Sequence, residues 1–364
     1  MILSDEQKAS LIDAGIRAPS ADNSQPWKYQ WDNASELSIW RDAELSGFAT
    51  DKTFILTDLA IGCVIESIRL KALESKLNAE IVYCPSDESE KIATLVFTSS
   101  ASNTPPLPNE KANKKVVDET ASDRELASYI EARCTDRRFP YKGPVTESES
   151  LALAGAVNDK DYALNVYTDK AAIAQFLPSI KEAEQIRFEC ASLHQELFQT
   201  IVFDQPAPDK GMTPAMLSIE PIARPMFRLM ATWRTMQKLN KIGTSKMIAM
   251  RSVTLPFKLS PAMCVLTTKS TSRIDIIKAG QQMLRFWLKA TQLGLSVHPY
   301  AAPGVLPLAK PDVGEPYLSR LSNVKRNVDS EVANGQQVIM FFRVGRCAGT
   351  PTTSCRRSAD SLKK

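Results

Sequence analysis

This chain has very few of the residues from which most catalytic centres are built. It carries only two histidines, His194 and His298, in 364 residues, so a histidine-rich metal centre is excluded. A serine–histidine–acid triad lacks the Gly-x-Ser-x-Gly elbow that would present its nucleophile. Neither Gly-x-Gly-x-x-Gly nor Gly-x-x-x-x-Gly-Lys occurs, which removes the usual fingerprints of Rossmann and P-loop nucleotide sites. The seven cysteines are odd in number and include no Cys-x-x-Cys pair. They read as free thiols in a reducing compartment, not as a disulfide frame or zinc site. No stretch approaches the ~20 apolar residues that span a bilayer, and no Lys/Arg-rich run points to nucleic acid. The amino terminus lacks the basic stretch and apolar run of a secretory signal. The expectation is a soluble cytoplasmic chain with no metal, no nucleic-acid partner and no integral membrane segment.

What is present is ordinary for a globular protein: 43% hydrophobic residues, 24% charged residues and a formal charge of +4. A sizeable core is therefore expected, over two domains or one large one. Ser4-x-x-Gln7, Ser122-x-x-Glu125 and Thr146-x-x-Glu149 have capping-box form and predict helix starts. The first helix stops at Pro19. Strands are predicted near 27–31, 37–40, 79–83, 92–98, 162–167, 262–267 and 338–344. Helices are predicted near 54–77, 170–202, 275–293 and 315–324, with a further one ending near Arg133. Residues 100–120 are polar and proline-rich and predict a linker. A shift of 218 residues lays Gly62 on Gly280, Leu70 on Leu288, Lys71 on Lys289, Ala72 on Ala290 and Leu77 on Leu295. Each copy is a long helix with an early glycine that feeds a short strand, which predicts an internal repeat.

Two segments carry anion chemistry. Arg133-Cys134-Thr135-Asp136-Arg137 offers two cations and a hydroxyl at alternate positions, all on one side if the segment is extended. A phosphate dianion calls for such fixed guanidinium groups. Read alone, it is also a solvated basic helix end, favoured there by the helix dipole. Ala18-Pro19-Ser20-Ala21-Asp22-Asn23-Ser24-Gln25-Pro26-Trp27 is the second segment; read alone, it is also a helix stop followed by a turn. Near the carboxy terminus, Ser354-Cys355-Arg356-Arg357 follows the last predicted strand.

Together these segments resemble the FMN-dependent nitroreductase family. Its chains open with Arg-x-Ser-x-Arg, continue with Pro-Ser-x-x-Asn-x-Gln-Pro-Trp and commonly end in Ser-x-Arg. Here the first two stretches are far apart and in reverse order. Thr135 replaces the serine, and Cys134 stands where an arginine is frequent. In the family's homodimers each flavin lies between subunits, one giving Arg-x-Ser-x-Arg and the other Pro-Ser-x-x-Asn. The resemblance therefore implies two fused units: 1–99 and 121–364, joined by the linker and related by a pseudo-twofold axis. Each would be α+β, with a mostly antiparallel sheet flanked by helices. The first unit has only Lys8 and Arg17 ahead of its Pro-Ser-x-x-Asn, and the second has no such stretch after its Arg133-x-Thr135-x-Arg137. One composite flavin site would form and its symmetry mate would be lost.

For that site the resemblance implies Pro19, Ser20, Asn23, Gln25, Arg133, Thr135, Arg137 and Ser354, with Arg356 on the phosphate and Arg357 as the alternative. The loop 298–304 would lie by the ring, with Tyr300 or Ala301 giving a backbone amide. It further implies an FMN-dependent oxidoreductase that takes hydride from NADH or NADPH and reduces an electron-poor small molecule such as a nitroaromatic or quinone. No catalytic side chain is assigned, because the ring carries the electrons. An FMN-sequestering protein and a flavin-free scaffold remain open as alternatives. The chain would act as a monomeric pseudo-dimer.

Residues 221–260 hold eight basic side chains and no acidic one, with Met226, Met230, Trp233 and Met236 at helical spacing. Within a 203–260 insertion they predict an amphipathic helical region. It would pack onto the core as a lid, attract an anionic substrate, or lie on a membrane surface.

Overall fold

The computed structural model describes residues 1–84, 86, 89–99 and 121–364, so the expected 100–120 linker lies outside the described residues. Helix α1 (Asp5–Ile16) opens on its capping box: the Gln7 amide donates to Ser4 Oγ and the Ser4 amide donates to Gln7 Oε1. Strands β1 (Trp27–Trp31) and β2 (Glu36–Arg41), helix α2 (Ile55–Glu74), and strands β3 (Leu77–Tyr83) and β4 (Lys91–Ser99) complete the first unit. Its sheet has the order β1-β2-β4-β3 and is antiparallel throughout.

The second unit begins, among the described residues, with α3 (121–127). Ser122 lies inside this helix, already formed at 121, so the capping box expected there is not its start. Helix α4 (Glu147–Gly155) does begin on its box, with Thr146 bonded reciprocally to Glu149. Strand β5 (Tyr162–Tyr167) follows, then α5 (Lys170–Glu189) and α6 (Ala191–Gln199). One helical region over 170–202 was expected; an extended backbone at Cys190 divides it. The insertion forms four short helices, α7 (Arg224–Met230), α8 (Trp233–Asn240), α9 (Thr244–Ala249) and α10 (Leu255–Lys258). The unit closes with β6 (Ala262–Thr268), α11 (Arg273–Gln292), β7 (Ser296–Tyr300), α12 (Ala302–Val305), α13 (Tyr317–Ser330) and β8 (Gln337–Gly345). Its antiparallel sheet has the order β5-β6-β8-β7, equivalent strand for strand to the first. Residues 298–300, expected in a loop, belong to β7; this strand lies at the sheet edge, where Pro299 need not donate to a ladder.

The two units meet at α2 and α11. A Cβ on Gly62 would lie 1.9 Å from the Ile277 carbonyl oxygen, and one on Gly280 would lie 2.1 Å from that of Leu59. Only glycine permits so close a crossing. The 218-residue shift that relates the two glycines also relates Leu59 to Ile277, so the contact is symmetric. One hydrophobic core runs through this crossing and includes residues of both sheets. The carboxy-terminal tail crosses back to the first unit, where Leu362 is buried and the Lys364 amide donates to the Tyr29 carbonyl at 3.0 Å. The chain is thus an α+β protein of two antiparallel units with helix flanks, as expected.

Candidate functional site

The 17–25 turn follows the end of α1 at Ile16, and Pro19 bars the helix from continuing. Its backbone is left-handed at Asp22 (φ 50°), Asn23 (φ 56°) and Gln25 (φ 50°), a conformation that non-glycine residues adopt at a cost. The Gln25 amide donates to Ser20 Oγ at 3.0 Å and fixes the turn.

The 133–138 segment is pinned along its main chain from the core side. The indole of Trp287, on α11, donates to the Cys134 carbonyl at 3.2 Å. The Asp136 amide donates to the Val297 carbonyl of β7 at 2.9 Å. Arg343, fully buried on β8, donates to the Arg138 carbonyl at 2.8 Å. Asp136 turns to Arg138 and Ser296 at 2.8 and 3.0 Å, leaving Arg133, Thr135 and Arg137 facing the other way.

The third segment is the tail. Arg356 donates to the Ile16 carbonyl at 3.1 Å, to Asn23 Oδ1 at 3.0 Å and to Ser354 Oγ at 2.6 Å.

These three segments converge on one cavity of about 150 Å³ between the units. Pro19, Ser20, Asn23, Arg133, Thr135, Arg137, Ser354 and Arg356, distant in sequence, all line it. Arg133 stacks on Trp287, its guanidinium carbon 4.7 Å from the ring centroid, and donates to the Arg17 carbonyl at 3.0 Å. Arg137 donates to the Met216 carbonyl and to Met212 Sδ, each at 3.3 Å. Among the described residues none of these three arginines pairs with a carboxylate; Glu131, the one acidic residue on the lining, is in ion-pair contact with none of them. Burial pulls the Arg133 and Arg137 guanidinium groups below their ordinary value. Burial, then the neighbouring Arg133 and Arg17 cations, pulls Arg356 down to about 9. One buried and two half-buried guanidinium groups without an ion-pair partner among the described residues are costly to hold together unless an anion completes them.

The remaining expected contacts fall elsewhere. Gln25 is fully buried behind the cavity; its amide donates to the Asp209 carbonyl at 2.7 Å and its oxygen accepts from the Arg357 amide at 2.9 Å. It is a bracket between segments, not a ligand contact. Tyr300 sits in β7 and does not line the cavity; its ring packs on Phe257 and His298, and its hydroxyl donates to the Ser252 carbonyl at 2.9 Å. Ala301 packs against the core and does not line the cavity. Arg357, the alternative to Arg356, turns away to Asp42 at 3.5 Å. Met212 and Met216 of the insertion, Thr352 and Thr353 of the tail, Arg17 and Glu131 also line the cavity and were not anticipated. The methionine-rich composition of the insertion was the one signal for the first two.

The cavity fits FMN at one end. Three guanidinium groups with the hydroxyls of Ser20, Thr135 and Ser354 suit a phosphate dianion. The other end does not admit the ring in this conformation. Asn23 Nδ2 is engaged by the carbonyls of Gly211 and Cys355 at 3.3 and 3.2 Å, and 150 Å³ is below the roughly 300 Å³ at which pockets for larger ligands begin.

No protein-family model and no curated protein matches the chain. Among solved structures it is similar to a putative nitroreductase from Anabaena variabilis, at 10% identity and a TM-score of 0.45, over 94% of this chain and 88% of that one. It is also similar to the FMN-dependent nitroreductase NfnB from Mycobacterium smegmatis in complex with NADPH, at 14% identity and a TM-score of 0.38 (66% and 97% covered). A nitroreductase with bound FMN from Bacteroides fragilis matches at 10% identity and a TM-score of 0.38, over 65% and 95%. At these identities and scores, what can be said of the chain rests on its own residues and cavity.

Proposed function

We propose that the chain binds FMN through its phosphate in the cavity between the two units. It would serve as an FMN-dependent oxidoreductase, taking hydride from NADH or NADPH and reducing an electron-poor small molecule such as a nitroaromatic or quinone. The observation that supports this most is the convergence of three arginines, Arg133 buried and Arg137 and Arg356 half-buried, with no ion-pair partner among the described residues.

In this reading Arg133, Arg137 and Arg356 hold the phosphate, and Ser20, Thr135 and Ser354 donate hydroxyls to its remaining oxygens. Trp287 fixes the plane of Arg133. Arg343 and Val297 hold the main chain on either side of Arg137, so that its side chain is already placed when the anion arrives. When bound, the flavin supplies the electron-carrying chemistry. Segment 209–216 must move from its place over Asn23 before the ring can enter.

That same segment favours a second reading, in which FMN is held and not turned over. Asn23 and Gln25 are tied to Gly211 and Asp209, and Met212 and Met216 line the cavity. The visible spectrum of protein purified without added flavin, followed by assay, separates the two. Oxidised-flavin bands with steady NADH or NADPH oxidation in the presence of a quinone support the enzyme. Bands without turnover support the holding role. A colourless protein that refuses added FMN rules out both.

A further inference from the structure

We infer that the outer face of the insertion, α7 to α10, is a docking surface for an anionic lipid membrane. Eight of the fourteen exposed large hydrophobic side chains among the described residues lie between positions 222 and 259. They are ordered by the helices. Met226 and Leu229 share one face of α7, outward of the buried Phe227 and Met230, and Ile222 lies on the 3₁₀ turn that leads into it; they are 52%, 60% and 92% exposed. Met247 and Met250 do the same on α9 and the turn that follows it, at 62% and 48%. Exposed side chains of this size in one region mark a surface that is covered in use.

The charges around them choose the occupant. Eight basic and no acidic residues fall within 221–260. Arg228 and Arg251 pair with Asp204 and Glu220. Among the described residues the other six, which include Lys238, Lys241 and Lys246, have no acidic partner. A second copy docking by the same face would set these cations against one another. A nucleic acid would satisfy the cations and leave the isoleucines, leucines and methionines in water. An anionic bilayer surface takes both, with apolar side chains in the acyl boundary and lysines and arginines at the headgroups. Neither α7 nor α9 is long enough to span a bilayer, and no described helix is long and apolar enough to do so. The association is therefore peripheral, and it holds whether or not the cavity between the units carries flavin.

The test is co-sedimentation of the full chain with vesicles of phosphatidylcholine alone and with vesicles also containing phosphatidylglycerol. The protein should pellet with the second and not the first, and added salt should release it. Met226→Ser with Leu229→Ser removes exposed side chains only and should abolish pelleting while thermal unfolding stays unchanged. Lys241→Gln with Lys246→Gln should weaken vesicle binding roughly thirtyfold, since each lysine near an anionic surface contributes several-fold. Equal binding to both vesicle types, or to neither, overturns the proposal. So does a homodimer in sedimentation velocity that Met226→Ser with Leu229→Ser dissociates, because the face would then belong to a second copy.

Discussion

Two cavities are lined by residues of both units, and their charges are arranged in opposite ways. The smaller lies behind the turn between α1 and β1 and gathers Arg133, Arg137 and Arg356 without a carboxylate partner among the described residues. The larger, about 430 Å³, lies behind the turn between α4 and β5, the equivalent place in the second unit, where Asn158 and Asp159 contribute to its lining. It too has arginines, but Arg69 meets Glu66 at 2.7 Å and Asp123 at 2.8 Å, and Arg285 meets Glu66 at 3.0 Å. Asp123 Oδ1 also lies 2.7 Å from Arg285 without the alignment of a hydrogen bond. Burial alone would raise the Glu66 carboxyl, yet Arg69 and Arg285 outweigh it and hold it at about 2. The same residue type thus does two jobs. An arginine between carboxylates joins helices; an arginine without one waits for an anion.

The larger cavity should respond most strongly in stability. Glu66→Gln leaves Arg69 and Arg285 each short of a carboxylate, and breaking a buried pair on one side costs about 3–5 kcal/mol. Urea denaturation should show that loss while the folded fraction keeps its FMN affinity. Unchanged stability would mean that the four charges lock nothing. Acid should act through the same group. The Glu66 pKa is depressed on folding from 4.5 to about 2, so its contribution is fully present above about pH 4.5 and is lost as pH falls towards 2. The wild type should lose roughly 3 kcal/mol across that window through this residue, and Glu66→Gln should show a correspondingly shallower acid profile. Identical acid midpoints would remove the carboxylate from the account.

The sequence made the smaller cavity legible because phosphate chemistry leaves local marks. Arg133, Thr135 and Arg137 alternate along one extended run, and Ser20 and Asn23 sit in a turn that Pro19 enforces; each pattern fits within a few residues. Gly62 and Gly280 were legible as a repeat, and the crossing shows why neither can carry a side chain. What failed to show was long-range. Nothing local marks Glu66, Arg69, Asp123 and Arg285 as partners, since charges at helical spacing usually face water. Gln25 has the residue type of a ligand contact, but its partners, Asp209 and Arg357, are 184 and 332 positions away. Residues 298–300 read as part of a 298–304 loop, and only the sheet order reveals the edge strand that tolerates Pro299. The insertion read as one amphipathic region; Pro225 and Gly243 help divide it into short helices that turn Phe227 and Met236 inward and leave Met226 outside.

The most direct measurement is calorimetric titration of FMN into flavin-free protein, for the wild type and for Arg133→Ala with Arg137→Ala. The account predicts one FMN per chain for the wild type. For the double variant it predicts an affinity at least about a hundredfold lower, because each charge-assisted contact contributes about 1.5–3 kcal/mol. Its thermal stability should change little, since one buried and one half-buried cation without ion-pair partners have been removed. Two FMN per chain, or undiminished binding in the double variant, would contradict the assignment of a single phosphate site to these arginines.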